Sequence, residues 1–274
     1  MISGFRLRQI GPHLALASGS IFGSYLLAIY IDSKKKSRYS NFNQYLGLSQ
    51  NRSIKYSEPD GLIENIQRLW QQCRESQKTI YSLIAANSAV FLAWRVPVFS
   101  SYLNRYFLHS INSHPMSMLG SIFSHKSLVH LSFNMLALNS SGTFLHEKMG
   151  REQFLAFYIS GGMSSSLTSH IYKSIRRNYT PSLGASGAIF GVVGGCAHFP
   201  ELKVSLIFLP IHSVPIDQAL PAMMAIDALG ILLDWKIFDH AAHLGGSLFG
   251  YSYFPLSQDK IWKNRKKIQQ YMKF

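Results

Sequence analysis

Negative charge is scarce in this chain: 13 Asp and Glu stand against 27 Lys and Arg, giving a formal net charge of +14 over 274 residues. Charged residues of both signs make up only 15% of the sequence, against about 25% in an ordinary soluble domain, and that shortfall points to a membrane. Cysteine is nearly absent. Cys73 and Cys196 stand in different contexts, which excludes a disulfide framework and a CxxC zinc pattern and leaves two free thiols. The excess of basic residues does not read as a nucleic-acid footprint. It is gathered between apolar segments and in the tail, not along a face with aromatics interleaved, and attraction to anionic lipid accounts for it.

What the chain does have is a succession of long apolar runs, and an all-α polytopic membrane protein is the fold they imply. Residues 1–31 carry Arg6 and Arg8 but no acidic residue, as a mitochondrial presequence or its remnant does. From His13 to Ile31 the chain is uncharged and long enough for an anchor helix, closed by Lys34, Lys35, Lys36 and Arg38. A cleaved or interfacial segment is the alternative there. Residues 32–78 read as a basic polar linker whose Leu62, Ile66, Leu69 and Trp70 recur at helical spacing, suiting a helix that lies on a membrane surface or a plain linker helix.

Six apolar segments follow within residues 79–256, at 80–99, 116–145, 154–172, 184–199, 216–235 and 239–254, before a basic tail over 257–274. Residues 101–114 between the first two read as a partly amphipathic interfacial loop. A connection holding Pro210 and Pro215 leads into the fifth segment.

Polar side chains inside such segments are costly and mark function by default. Gly187, Gly191 and Gly195 repeat every four residues after Ser186, and His243, Gly246 and Gly250 fall on one helical face. Two glycine-lined helices approach closely. If these two meet, Ser186 comes within hydrogen-bonding reach of His243, the arrangement in which an imidazole takes the hydroxyl proton and later returns it to a leaving amine. In the second segment His125, His130 and Asn134 follow the spacing His-x4-His-x3-Asn; His130 and Asn134 share a helical face and offer donors for a tetrahedral oxyanion, with the Ser186 backbone N–H as a third. Taken alone, these residues read as helix-to-helix hydrogen bonding. Asp239, one turn before His243, is either a helix cap or an orienting third member. Asp227 reads as a structural hydrogen-bond partner and His240 as interfacial.

The runs His125-Lys-Ser-Leu-Val-His130-Leu-Ser-Phe-Asn134, Gly184-Ala-Ser186-Gly187 and Ala242-His243-Leu-Gly-Gly246 resemble the rhomboid family of intramembrane serine proteases in content and order. Residues 181–189, residues 234–246, Trp94-Arg-Val-Pro97 and an extra helix ahead of the core look like the mitochondrial presenilin-associated rhomboid-like branch. The resemblance implies a six-helix core with one added N-terminal transmembrane helix and a Ser186–His243 dyad. It places His130 and Asn134 at the oxyanion site, and His125, Gly184, Gly187 and Gly246 in support, with His125 on the same helix as His130. It further implies cleavage of single-pass transmembrane proteins in the mitochondrial inner membrane, in protein processing and quality control, without metal or cofactor. Phe238 departs from the family pattern, where a glycine is common, and suggests looser packing at that end of the closing helix. A catalytically inactive member that binds or retains transmembrane clients is the alternative, and the filled dyad positions argue against it. A soluble hydrolase elbow would need glycine where Ala188 stands. A zinc protease of the His-Glu-x-x-His type fails because His146-Glu147-Lys148-Met149 is followed by Gly150. A histidine-lined metal transporter is a distant rival.

Overall fold

The computed structural model describes residues 2–46, 61–206 and 209–271. The architecture is helical throughout apart from one two-stranded hairpin. The chain opens with α1 (Ile2–Leu46), whose apolar stretch is, by itself, long and apolar enough to cross a bilayer. It packs along α8 (Arg151–Arg176). Across that contact Ser24 Oγ lies 3.2 Å from Ser160 Oγ, and Tyr25 stacks on Tyr253 of a later helix. At the far end Arg265 Nε donates to Asp32 Oδ2 at 2.9 Å and Gln269 Nε2 to Ile29 O at 3.1 Å, so the basic tail, folded as α12 (Arg265–Tyr271), is tied back to the first helix.

Helix α2 (Leu62–Gln72) buries none of its residues; Leu62, Ile63, Ile66 and Leu69 all face outward, as a helix lying on a lipid surface requires. Helix α3 (Glu75–Ala93) ends earlier than the apolar run suggested. Pro97 disfavours helical geometry at Val96, which is extended at φ −105° and ψ 110°, and the chain turns by 100° into a short helical stretch ending in α4 (Ser100–Tyr106).

The run over 116–145 corrects the sequence reading most. It is not one helix but α5 (Ser117–Ser121), a non-helical stretch, and α6 (Leu128–Ala137), which passes through a π turn at Leu138–Gly142 into α7 (Thr143–Met149). Ser127 caps α6 by accepting from His130 N. His125 therefore stands before α6 and not on it.

Helix α8 is the central post, with Phe154, Phe157, Tyr158 and Met163 fully buried and α1 on one side against α9 (Ser186–Cys196) and α11 (His240–Tyr253) on the other. The α9–α11 pair packs backbone against backbone. A Cβ added at Gly246 would lie 2.1 Å from Gly187 O, and one at Gly250 would lie 1.9 Å from Gly191 O. The two backbones touch because no side chain separates them.

The proline-containing connection between α9 and α10 (Ile216–Leu232) is a hairpin of β1 (Lys203–Leu206) and β2 (Leu209–Pro215), antiparallel with Lys203 opposite Pro215 and Ser205 opposite Ser213. The expected six-helix core corresponds to α3, α6 continuing into α7, α8, α9, α10 and α11, with α1 added outside it.

Candidate active site

Ser186 is the first residue of α9 and His243 lies in the first turn of α11, so the glycine contact between these helices brings the two starts together. Ser186 Oγ is 3.0 Å from His243 Nε2. The imidazole is held flat against Phe190, one turn on from Ser186, with ring centres 4.1 Å apart and planes at 7°.

On its other side His243 Nδ1 is 3.3 Å from Asp227 Oδ1, and the same oxygen is 2.7 Å from His240 Nδ1. A carboxylate oxygen only accepts, so both Nδ1 atoms carry the proton. His243 Nε2 then presents its lone pair to the Ser186 hydroxyl. Asp227 and His240 are 3% and 5% exposed, so His240 is not interfacial. These three residues place one potential ligand atom each within 4.8 Å of the others, with both imidazole N–H groups directed at the carboxylate.

Asp239 does not orient His243. Its Oδ1 accepts from Ala242 N at 3.1 Å, capping α11; its Oδ2 accepts from Lys173 Nζ at 2.8 Å, from Ser169 Oγ at 2.6 Å and from Ser182 Oγ in a short bond. This buried ion pair fastens α8, α11 and the loop leading to Ser186 to one another. Ser182 is further held by backbone bonds in both directions with His109. The orienting position that the sequence offered to Asp239 is filled by Asp227. The signal for it was present: an acidic residue in the middle of an apolar span.

Gly184 sits at φ 133°, and a Cβ there would fall 2.7 Å from His130 Cε1. Only glycine lets the chain turn while His130 lies against it. His130 reaches the same cavity as Ser186 and His243, a space of about 230 Å³ walled on the far side by Trp235, Ile237 and Phe238. Phe238, the departure from the family pattern, precedes α11, lines the cavity and sets its ring against those of His240 and His243, with centres 6.0 Å apart in each case. Asn134 shares the His130 face of α6 but does not line the cavity; its Nδ2 donates to His130 O at 2.8 Å. His125 is fully buried, and its Nε2 accepts from Ala185 N at 3.3 Å. It thus supports the turn before Ser186 from outside the helix. Gly187 and Gly246 belong to the backbone contact already described.

A helical membrane protein with a serine and a histidine joined across two glycine-packed helices is the class that fold and site define. Residues 112–258 match the family model of the Rhomboid domain. The chain is similar to the mitochondrial presenilin-associated rhomboid-like protein of Rattus norvegicus, 39% identical over 254 residues, covering 92% of this chain and 67% of that protein. It is also similar to the mitochondrial Rhomboid protein 1 of Saccharomyces cerevisiae, 36% identical over 230 residues, covering 82% of this chain and 66% of that one. With the Rhomboid protease GluP of Bacillus subtilis it shares 32% identity over 134 residues, 49% of this chain and 24% of that one. The chain belongs to the rhomboid family, whose members are multi-pass membrane proteins. It spans about two thirds of the length of the mitochondrial relatives, which carry that location in their names.

Proposed function

We propose that this chain is an intramembrane serine endopeptidase that cleaves single-pass membrane proteins in or beside their transmembrane segment, in the mitochondrial inner membrane, as part of protein processing and quality control. The observation that carries the reading is the 3.0 Å contact between Ser186 Oγ and His243 Nε2, with the imidazole tautomer set by Asp227 so that Nε2 is the proton acceptor.

Ser186 attacks the scissile carbonyl as His243 takes its proton, and the imidazolium then protonates the leaving amine. Water repeats the sequence on the acyl-enzyme. His130, aimed into the cavity, and the Ser186 backbone N–H at the start of α9 face the developing oxyanion, with Asn134 behind His130; one donor of this kind contributes about 3 kcal/mol. Hydrolysis by this route calls for no metal or cofactor. The 11 residues of α9 rise about 16 Å, roughly half of the ~30 Å hydrocarbon layer, which suits a nucleophile placed well below the membrane surface in a water-filled cavity. The protease domain in this reading is residues 79–256, preceded by an anchor segment over 1–31 and a basic linker over 32–78 and followed by a basic tail over 257–274.

The test is covalent labelling with a fluorophosphonate probe in detergent, followed by peptide mapping. Adduct formation at Ser186 that His243→Ala abolishes is the expected result; no labelling of wild type, or labelling indifferent to His243→Ala, would remove the dyad.

A further inference from the structure

A second set of histidines is buried where α1 meets the core, apart from the dyad. His13 comes from α1, His109 from the loop after α4 and His170 from α8, and each is at most 4% exposed. The His13 and His170 rings stack at 3.9 Å, and His109 Nε2 lies 3.1 Å from His170 Nδ1. One ring nitrogen from each of the three lies within 4.8 Å of the other two.

Bonds to the surroundings fix two of the tautomers. The Ser117 hydroxyl donates to His114 O at 2.7 Å, so its oxygen receives the proton of His109 Nδ1, also at 2.7 Å, and the lone pair of His109 Nε2 accepts from His170 Nδ1–H at 3.1 Å. His13 Nε2 faces the Ser113 carbonyl at 3.3 Å. A carbonyl only accepts, so the lone pair of His13 is on Nδ1. Imidazoles that hold metals have their outer N–H on a carbonyl or hydroxyl in the same way. The nearby cation Lys173 is already paired with Asp239 at 2.8 Å, which reduces its repulsion of an added positive ion.

We propose that His13, His109 and His170 form a three-histidine site for a borderline divalent transition-metal ion of the Zn²⁺ class, which clamps the N-terminal helix to the core. On binding, the His170 proton shifts from Nδ1 to Nε2 so that Nδ1 faces the ion, and water completes a tetrahedron. Zn–N bonds of about 2.0–2.1 Å put the nitrogens roughly 3.3 Å apart; the His109–His170 separation is close to that, the widest edge closes by roughly 1.5 Å, and the stacked His13 and His170 rings turn so that both nitrogens face the ion. This inference is independent of the protease reading.

The experiment uses the full chain in nanodiscs, stripped of metal. Co²⁺ titration followed by its visible d–d bands reports tetrahedral geometry, and Zn²⁺ competition with metal analysis gives stoichiometry. We expect one tetrahedral Co²⁺ per wild-type chain, displaced by Zn²⁺, with binding weakened by about tenfold or more in His13→Ala and His170→Ala. Zn²⁺ is expected to raise the thermal midpoint of wild type but not of His13→Ala. Absence of the tetrahedral spectrum in wild type overturns the proposal whatever the variants do. So does binding that survives His13→Ala and His170→Ala but is lost in His243→Ala, which would put the ion at Asp227, His240 and His243 instead.

Discussion

Replacing Asp227 with asparagine keeps the shape of the side chain and removes its charge, so it isolates what the carboxylate does for His243. In the proposed reaction His243 carries a positive charge while Ser186 attacks. At about 4 Å and an effective dielectric of about 20, a carboxylate opposite that charge is worth at most about 4 kcal/mol. Both side chains are buried, at 9% and 5% exposure for His243 and Asp227, so solvent takes little of that away. The bond itself is long, 3.3 Å against 2.7 Å to His240, which draws on the same oxygen. The expected loss is therefore about 2–4 kcal/mol, or roughly 30- to 1000-fold in kcat at tenfold per 1.36 kcal/mol. Asp227 does not line the substrate cavity, so KM should stay within about threefold of wild type. The assay is steady-state cleavage of a quenched fluorescent transmembrane peptide in liposomes, with thermal unfolding run alongside to show that the variant is folded. A folded Asp227→Asn protein with kcat within about threefold of wild type, or one whose loss lies in KM, would refute the reasoning that Asp227 positions the base.

The same contacts make further predictions. Gly246→Ala forces a Cβ to 2.1 Å from Gly187 O, a backbone atom with nowhere to go; we expect about 1–3 kcal/mol of destabilisation by thermal or denaturant unfolding, with activity falling further because Ser186 and His243 are pushed apart. Lys173→Met leaves the Asp239 carboxylate buried without its cation, and the same unfolding measurement should show a loss of about 3 kcal/mol or more. Gly184→Ala should abolish cleavage while changing stability much less than Gly246→Ala does, since the clash falls on His130 and the strain on a backbone at φ 133°; a wild-type kcat in that variant would contradict the placement of His130.

The contact between α9 and α11 was legible because glycines at four-residue spacing face one another only if the helices nearly touch, and Ser186 and His243 lie at the same end of that stripe. The extra N-terminal helix was legible from an uncharged run bounded by lysines. Periodicity did not show where helices stop. Residues 116–145 are apolar enough for one span, yet the chain leaves helical geometry before Ser127, and His125 works from that break. Nor does sequence distance tell which carboxylate meets a histidine: Asp239 is one turn from His243 but faces Lys173, whereas Asp227 arrives from a different helix. The hairpin before α10 was hidden by its prolines, one of which, Pro215, ends β2. The His13, His109 and His170 cluster has no local spacing at all, being assembled from three segments by tertiary packing.

The measurement that bears most directly on the central claim is cleavage of a panel of single-pass transmembrane proteins by the purified chain in liposomes, with Ser186→Ala and His243→Ala beside wild type and with EDTA as a further arm. The account predicts cutting by wild type that either substitution abolishes and EDTA leaves intact. Cutting by the variants at the wild-type rate, or wild-type protein that retains the same clients without cutting any, would contradict it.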